Sequence, residues 1–165
     1  NSLPWGEIGH VFFAGGRPFD YHNDNMKTAS SRSAAGASTL GDMGYIDSDG
    51  YLYLTGRSNT AIISGGVNIY PKEVENALLQ HPAIIDAVVM GLPDCDYGEK
   101  VVAAVQLQQG ENIDLADIEA DIIHFCKTQI ASVKCPKAIY VMDSLPRMET
   151  GKIYMPALIQ QVQTL

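Results

Sequence analysis

Lys152 stands at the end of Pro146-Arg147-Met148-Glu149-Thr150-Gly151-Lys152, directly after a glycine. A loop of that composition lets an ammonium reach an anion held elsewhere. The plainer reading is a surface lysine beside a helix, and these residues alone favour it. Asp42 lies in Leu40-Gly41-Asp42-Met43-Gly44. A carboxylate between glycines can accept two hydrogen bonds from the vicinal hydroxyls of a ribose. It can equally open a hairpin through an Asx turn, and spacing alone favours the turn. Arg57 closes Thr55-Gly56-Arg57. Its guanidinium offers a planar fork to phosphate or ribose oxygens, although a lone arginine is also ordinary on a surface. Gly65-Gly66 permits positive φ and close approach of a ligand to bare backbone. A tight turn in Ser64-Gly65-Gly66-Val67-Asn68 needs glycine too, and both readings can hold at once.

These positions are organised by residues 55–75, TGRSNTAIISGGVNIYPKEVE, which read as a joint between two folded parts. The polar run Ser58-Asn59-Thr60 is followed by a strand over 61–64, the glycine pair, a second short strand, and a helix opening at Pro71, where a missing N–H costs nothing. Residues 1–56 do not read as a complete domain. Positions 6–13 form an increasingly apolar strand that calls for partners on both sides. Residues 17–38 are a polar Ser/Asn/Ala loop with room for one helical turn. Ser48-Asp49-Gly50 between two apolar-bearing strands marks a hairpin. One strand and one hairpin bury too little to stand alone.

Residues 57–165 read as a compact α+β domain: a small mixed sheet with packed helices, in the order hairpin, helix, strand, strand, helix, strand, helix. Val74, Ala77 and Leu78 have helical spacing, and His81-Pro82 stops that helix. Residues 83–90 and 100–108 are strands, with a turn at Gly91-Leu92-Pro93-Asp94 between them. Leu115, Ile118, Ile122 and Phe125 line a second helix with Asp114 as its N-cap and Asp117 in its first turn. Residues 137–142 form the next strand and 144–151 a loop. Met155, Leu158, Ile159 and Val162 give the last helix. Glu73 and Glu75 read as residues that cap and solvate theirs.

The net charge is −8 over 165 residues, which argues against a general nucleic-acid binder. The charge is uneven: −11 over residues 1–122 and +3 over 123–165. The basic end suits phosphate-bearing ligands, with Lys127 and Lys137 read as ordinary solvated lysines. Three cysteines without a C-x-x-C pair predict free thiols in a reduced, cytoplasmic setting. The four histidines show no metal-ligand spacing. No apolar run reaches membrane-spanning length, and no signal-peptide pattern stands at the start.

Three stretches together, GDMGYIDSDGYLYLTGR (41–57), TGRSNTAIISGGVNIYPKEVE (55–75) and LPRMETGKI (145–153), resemble in order and spacing the AMP-forming acyl-CoA synthetases, relatives of adenylation domains and luciferases. The resemblance covers nearly all of the chain but only the C-terminal part of that family's longer sequence. It implies that 1–56 is a β-rich remnant of the N-terminal adenylation domain and that 57–165 is the C-terminal lid. The implied reaction joins a carboxylic acid to CoA through an acyl-adenylate made from ATP, chemistry used in fatty acid metabolism.

The resemblance also implies residue roles. Lys152 is the adenylation lysine, its charge held between a carboxylate and an α-phosphate. Asp42 and Arg57 hold the nucleotide. Gly65 and Gly66 line the path of the pantetheine arm. Asn59 is the hinge, where Asp or Lys is usual; asparagine tolerates left-handed backbone, so rotation survives while the usual hinge charge does not. Tyr97 and Lys134 are candidates for the nucleotide end of CoA, with packing and solvation as the alternative. Leu40 replaces a usual threonine.

The family's phosphate loop ending in Pro-Lys, its Mg²⁺-binding glutamate segment and its acyl pocket have no counterpart here. The Mg ligands and the acid-binding site are therefore expected outside this chain, on a large N-terminal domain in cis or in trans. A second reading is a detached lid or truncated fragment, inactive alone, that serves as a binding module.

Overall fold

The computed structural model describes residues 2–17, 19–108 and 115–164. The chain divides into two compact units, Asn1–Ala61 and Ile62–Leu165. The Asp114 cap expected from the sequence lies outside the described residues.

In the first unit, β1 (Gly9–His10), β2 (Asp42–Ile46) and β3 (Leu52–Arg57) form an antiparallel sheet in that order. The strand expected over 6–13 is shorter than its apolar run suggests. It pairs with β2 at Gly9 and His10, and by Phe13 its backbone has moved to Ser38. Only one flank is covered, and Phe12 and Phe13 remain exposed. The expected hairpin is present. Asp47 accepts hydrogen bonds from the amides of Asp49 (3.0 Å) and Tyr51 (2.9 Å), and Gly50 has φ +85°. Tyr45 and Tyr53 stack across it at 5.1 Å. The polar loop carries α1 (Asn25–Ser30), capped by Asp24. Met43 is the one buried large apolar side chain among this unit's described residues.

The second unit has its elements in the expected order. They are β4 (Ile62–Ser64), β5 (Val67–Ile69), α2 (Pro71–Leu78), β6 (Ile84–Asp94), β7 (Gly98–Leu107), α3 (Leu115–Gln129), β8 (Ala138–Val141) and α4 (Met155–Thr164). The sheet runs β5-β4-β7-β6, with β8 parallel to β7 on the flank opposite β6. Both faces are covered. Ala87, Val89, Val101, Ala103 and Val105 pack with Val74 and Leu78 of α2 and Ile118 and Ile122 of α3. The alternate residues Val88, Met90, Val102 and Ala104 pack with Leu158 and Val162 of α4. Side chains alternate across a strand, so a sheet buried on both faces needs continuous apolar runs. The fold is therefore α+β, as expected. No helix among the described residues is long and apolar enough to cross a membrane.

One boundary needs correction. Gly91-Leu92-Pro93-Asp94 is not a turn; β6 continues through it, with Asp94 opposite Gly98. Pro93 is tolerated because β6 is an edge strand, where a missing N–H breaks no ladder bond. The reversal comes at Cys95–Tyr97. There the Asp94 carboxylate accepts from the amides of Asp96 (3.0 Å) and Tyr97 (3.1 Å), and Gly98 takes φ +76°.

Carboxylates tie the unit together. Glu75 accepts from the Val89 amide of β6 (3.2 Å) and Glu119 from the Ile139 amide of β8 (3.0 Å). So Glu75 serves the sheet as well as its own helix. His81 is buried at the end of α2. Its Nδ1 accepts from Ala83 (3.2 Å), which leaves Nε2–H to donate to Asp121 (3.1 Å), and Phe125 meets the ring edge-on at 5.1 Å.

Candidate functional site

In the first unit, the candidate residues Asp42 and Arg57 are brought together. They begin β2 and end β3 in register, and Arg57 Nε donates to Asp42 Oδ1 at 3.2 Å. A bulge precedes the pair: Gly44 faces Leu54 and Met43 faces Gly56, so Thr55 is the extra residue. Bulges of this kind re-aim neighbouring side chains. Among the described residues no backbone amide donates to the Asp42 carboxylate, so the hairpin's Asx turn belongs to Asp47 instead. Asp47 is held below the ordinary carboxylate range, first by the Tyr51 amide. Asn59 lies exposed in a single 3-10 turn, Ser58–Thr60, which is tied back by the Ser58 amide on the Gly41 carbonyl (2.9 Å) and by Thr60 Oγ1 on the Arg57 carbonyl (3.0 Å).

In the second unit, Gly65 and Gly66 join β4 to β5 with φ +56° and +79°. Positive φ at both central residues of a two-residue loop is the turn that matches strand twist. The Gly65 amide donates to the Tyr97 carbonyl at 2.9 Å, and a Cβ built on Gly65 would lie 3.3 Å from the Tyr97 ring. Two expected site residues are therefore neighbours. A third group that sequence reasoning set aside joins them: the Lys137 ammonium lies over the Tyr97 ring, 5.9 Å from its centroid. Lys134 is placed differently. Its ammonium contacts both Glu73 oxygens, at 2.7 and 2.9 Å, tying the turn Ser132–Lys134 to the start of α2. Glu73 is thus an ion-pair partner of Lys134 rather than a cap: the N-cap position of α2 is Tyr70, and among the described residues no side chain caps it. Glu99 was not singled out by sequence; its carboxylate receives the Ile63 amide at 2.7 Å where β4 leaves β7.

Lys152 is exposed, and among the described residues its ammonium has no carboxylate partner. The loop beneath it is ordered by its own backbone. The Met148 amide donates to the Lys152 carbonyl and the Gly151 amide to the Met148 carbonyl, each at 2.8 Å; Arg147 bridges Ile153, and Gly151 takes φ +79°. Arg147 adds two side-chain contacts, to the Gly151 carbonyl (2.7 Å) and to the Asp86 carboxylate. Among the described residues one group with metal-type donors is gathered, Asp94, Cys95 and Asp96. Asp94 is already used by the turn's own amides.

A family model described as the AMP-binding enzyme C-terminal domain matches residues 73–152, ending on Lys152. The 3-oxocholest-4-en-26-oate–CoA ligase of Rhodococcus rhodochrous is 39% identical over 150 residues, which is 89% of this chain and 26% of that protein. The crystal structure of ATP-bound MatB from Rhodopseudomonas palustris superposes with a TM-score of 0.77 at 34% identity, covering 98% of this chain and 31% of that one. The chain belongs to the AMP-binding acyl-CoA ligase superfamily and corresponds to its C-terminal portion. Another superfamily relative, the oxalate–CoA ligase of Saccharomyces cerevisiae, is 37% identical over 155 residues, 93% of this chain and 28% of that ligase. The chain thus spans about 30% of the length of the ligases it matches. Ligases named for 3-oxocholest-4-en-26-oate and for oxalate thus match this portion about equally well.

Proposed function

We propose that this chain acts as the C-terminal part of an AMP-forming carboxylic acid–CoA ligase. In the first step a carboxylate attacks the α-phosphate of ATP, giving an acyl-adenylate and pyrophosphate. In the second the CoA thiol displaces AMP. Residues 1–56 are then the tail of a large adenylation domain, and 57–165 its lid. Lys152 serves the first step, where a positive charge offsets the negative charge that builds up as the carboxylate meets the phosphate. Gly65 and Gly66 offer the thiol arm a surface without side chains, beside the Tyr97 ring. Asp42 and Arg57 supply a carboxylate and a planar cation for ribose and phosphate. Asn59 is the pivot, and the cation at 134 serves the CoA phosphates once it leaves Glu73.

The observation that carries this reading is Lys152: an ammonium with no carboxylate partner among the described residues, on a short loop whose backbone is held, at the end of the matched segment. The test is Lys152→Ala in the ligase that carries this chain. Pyrophosphate release dependent on acid and ATP should fall about a hundredfold or more, the scale seen when a preorganised charge stabiliser is removed. Thioester formation from supplied acyl-adenylate and CoA should continue. Equal loss of both steps, or loss of neither, refutes the assignment. The isolated chain is expected to form no AMP from acid, ATP and CoA.

A further inference from the structure

We infer that Arg147 is a positioning residue for Lys152, with Asp86 on the sheet edge as its anchor; this rests on the adenylation role proposed for Lys152. The chain of contacts starts in β6, whose register shifts between Ile84 and Asp86. Asp86 Oδ1 accepts from the Ala87 amide at 3.0 Å, which fixes the carboxylate's orientation, and Oδ2 receives Arg147 Nη2. The other arm, Nη1, donates to the Gly151 carbonyl at 2.7 Å.

That carbonyl belongs to the peptide unit that ends on the Lys152 Cα. A peptide unit is planar, so holding its oxygen holds the direction in which the Cα is delivered. Gly151, at φ +79°, is the residue whose freedom would otherwise let this plane turn. The next plane is held by the Met148 amide on the Lys152 carbonyl. Both peptide planes beside Lys152 are therefore fixed, one by the loop itself and one by a guanidinium braced against the sheet. Arginine is needed because the two acceptors must be met at once by a rigid fork; a lysine ammonium is a point charge without that fixed geometry.

The competing view is an ordinary surface ion pair. Asp86 and Arg147 side chains are 28% and 42% exposed, and pairs of this kind contribute little to overall stability. The two views differ in what moves. In the ligase that carries this chain, Arg147→Ala, Arg147→Lys and Asp86→Asn should each slow acid-dependent pyrophosphate release ten- to a hundredfold, in line with a small misplacement of a reacting group. The loss should fall on kcat with KM for ATP unchanged. Thioester formation from supplied acyl-adenylate should stay within twofold, and the thermal midpoint within a few degrees.

The double exchange Asp86→Arg with Arg147→Asp restores an ion pair but leaves the Gly151 carbonyl without a donor, so it should stay slow. Amide exchange at Met148 and Gly151 should quicken severalfold in Asp86→Asn of the chain itself. Adenylation that survives Lys152→Ala overturns both readings. Adenylation lost in Lys152→Ala but intact in Arg147→Ala overturns this one alone, as does full recovery in the double exchange or unchanged amide exchange in Asp86→Asn.

Discussion

Alanine at position 66 is expected to destabilise the second unit by about 1–2 kcal/mol, the cost of a left-handed backbone for a residue with a Cβ. Gly66 has φ +79°, and a Cβ there would meet nothing within 4 Å, so no packing term offsets or adds to that figure. Gly65→Ala carries the same backbone cost at φ +56° plus the Tyr97 ring at 3.3 Å. That ring is 51% exposed and can swing away, so the added cost should stay below about 1 kcal/mol, under the range for overpacked cores. Asparagine is the control. It meets the same Tyr97 ring but tolerates left-handed backbone, and Asn-Gly is a favoured pair for this turn, so Gly65→Asn should keep only the contact cost, below about 1 kcal/mol. Urea unfolding of the chain, followed by far-ultraviolet circular dichroism, ranks the three variants. The reasoning fails if Gly66→Ala is as stable as the parent chain, or if asparagine costs as much as alanine. With the fold intact, Gly65→Asn then asks about function: it places a side chain on the surface proposed for the thiol arm, so thioester formation should slow while adenylation continues.

His81→Ala removes a buried ring that bonds Ala83 and Asp121 and packs on Phe125, and should cost about 1–3 kcal/mol in the same urea assay, the scale for losing a buried, packed and hydrogen-bonded side chain. A thiol reagent at neutral pH should label exposed Cys95 and spare buried Cys126 and Cys135 until the chain unfolds. Burial, and then the neighbouring Cys135, push the Cys126 thiol from 9.0 up to about 12. The folded state thus keeps this proton longer than the unfolded state does. Its contribution to stability is full below pH 9 and lost as pH rises towards about 12, which a series of urea midpoints against pH would reveal.

The second unit was legible because its physics is local in sequence. A sheet covered on both faces leaves continuous apolar runs such as Val101–Val105, and α2 announces itself with Pro71 at its start and buried Val74, Ala77 and Leu78 at helical spacing. The error at 91–94 arose because Gly-Leu-Pro-Asp has the composition of a turn; only the strand order reveals that β6 is an edge where Pro93 fits. In the first unit, apolar residues at 6–13 suggested a longer strand than one covered flank supports. At the candidate site, the turn at the glycine pair could be read because positive φ at two consecutive positions calls for glycine. The pairings Lys134–Glu73 and Arg147–Asp86 each span 61 residues, and nothing in the local pattern announces them. Lys137 reads as a solvated lysine for the same reason: its companion is a ring forty residues earlier.

The carboxylates of Glu75 and Glu119 have a consequence for the life of this unit in a crowded solution. An outer strand presents unused amides, and a second chain can add itself there and continue the sheet. Here Glu75 already occupies the Val89 amide on β6, and Glu119 the Ile139 amide on β8. An incoming strand must first displace an acidic side chain from a charge-assisted hydrogen bond and leave that charge beside itself. The unit therefore carries built-in stops against growth by strand addition, made from residues that also tie α2 and α3 to the sheet.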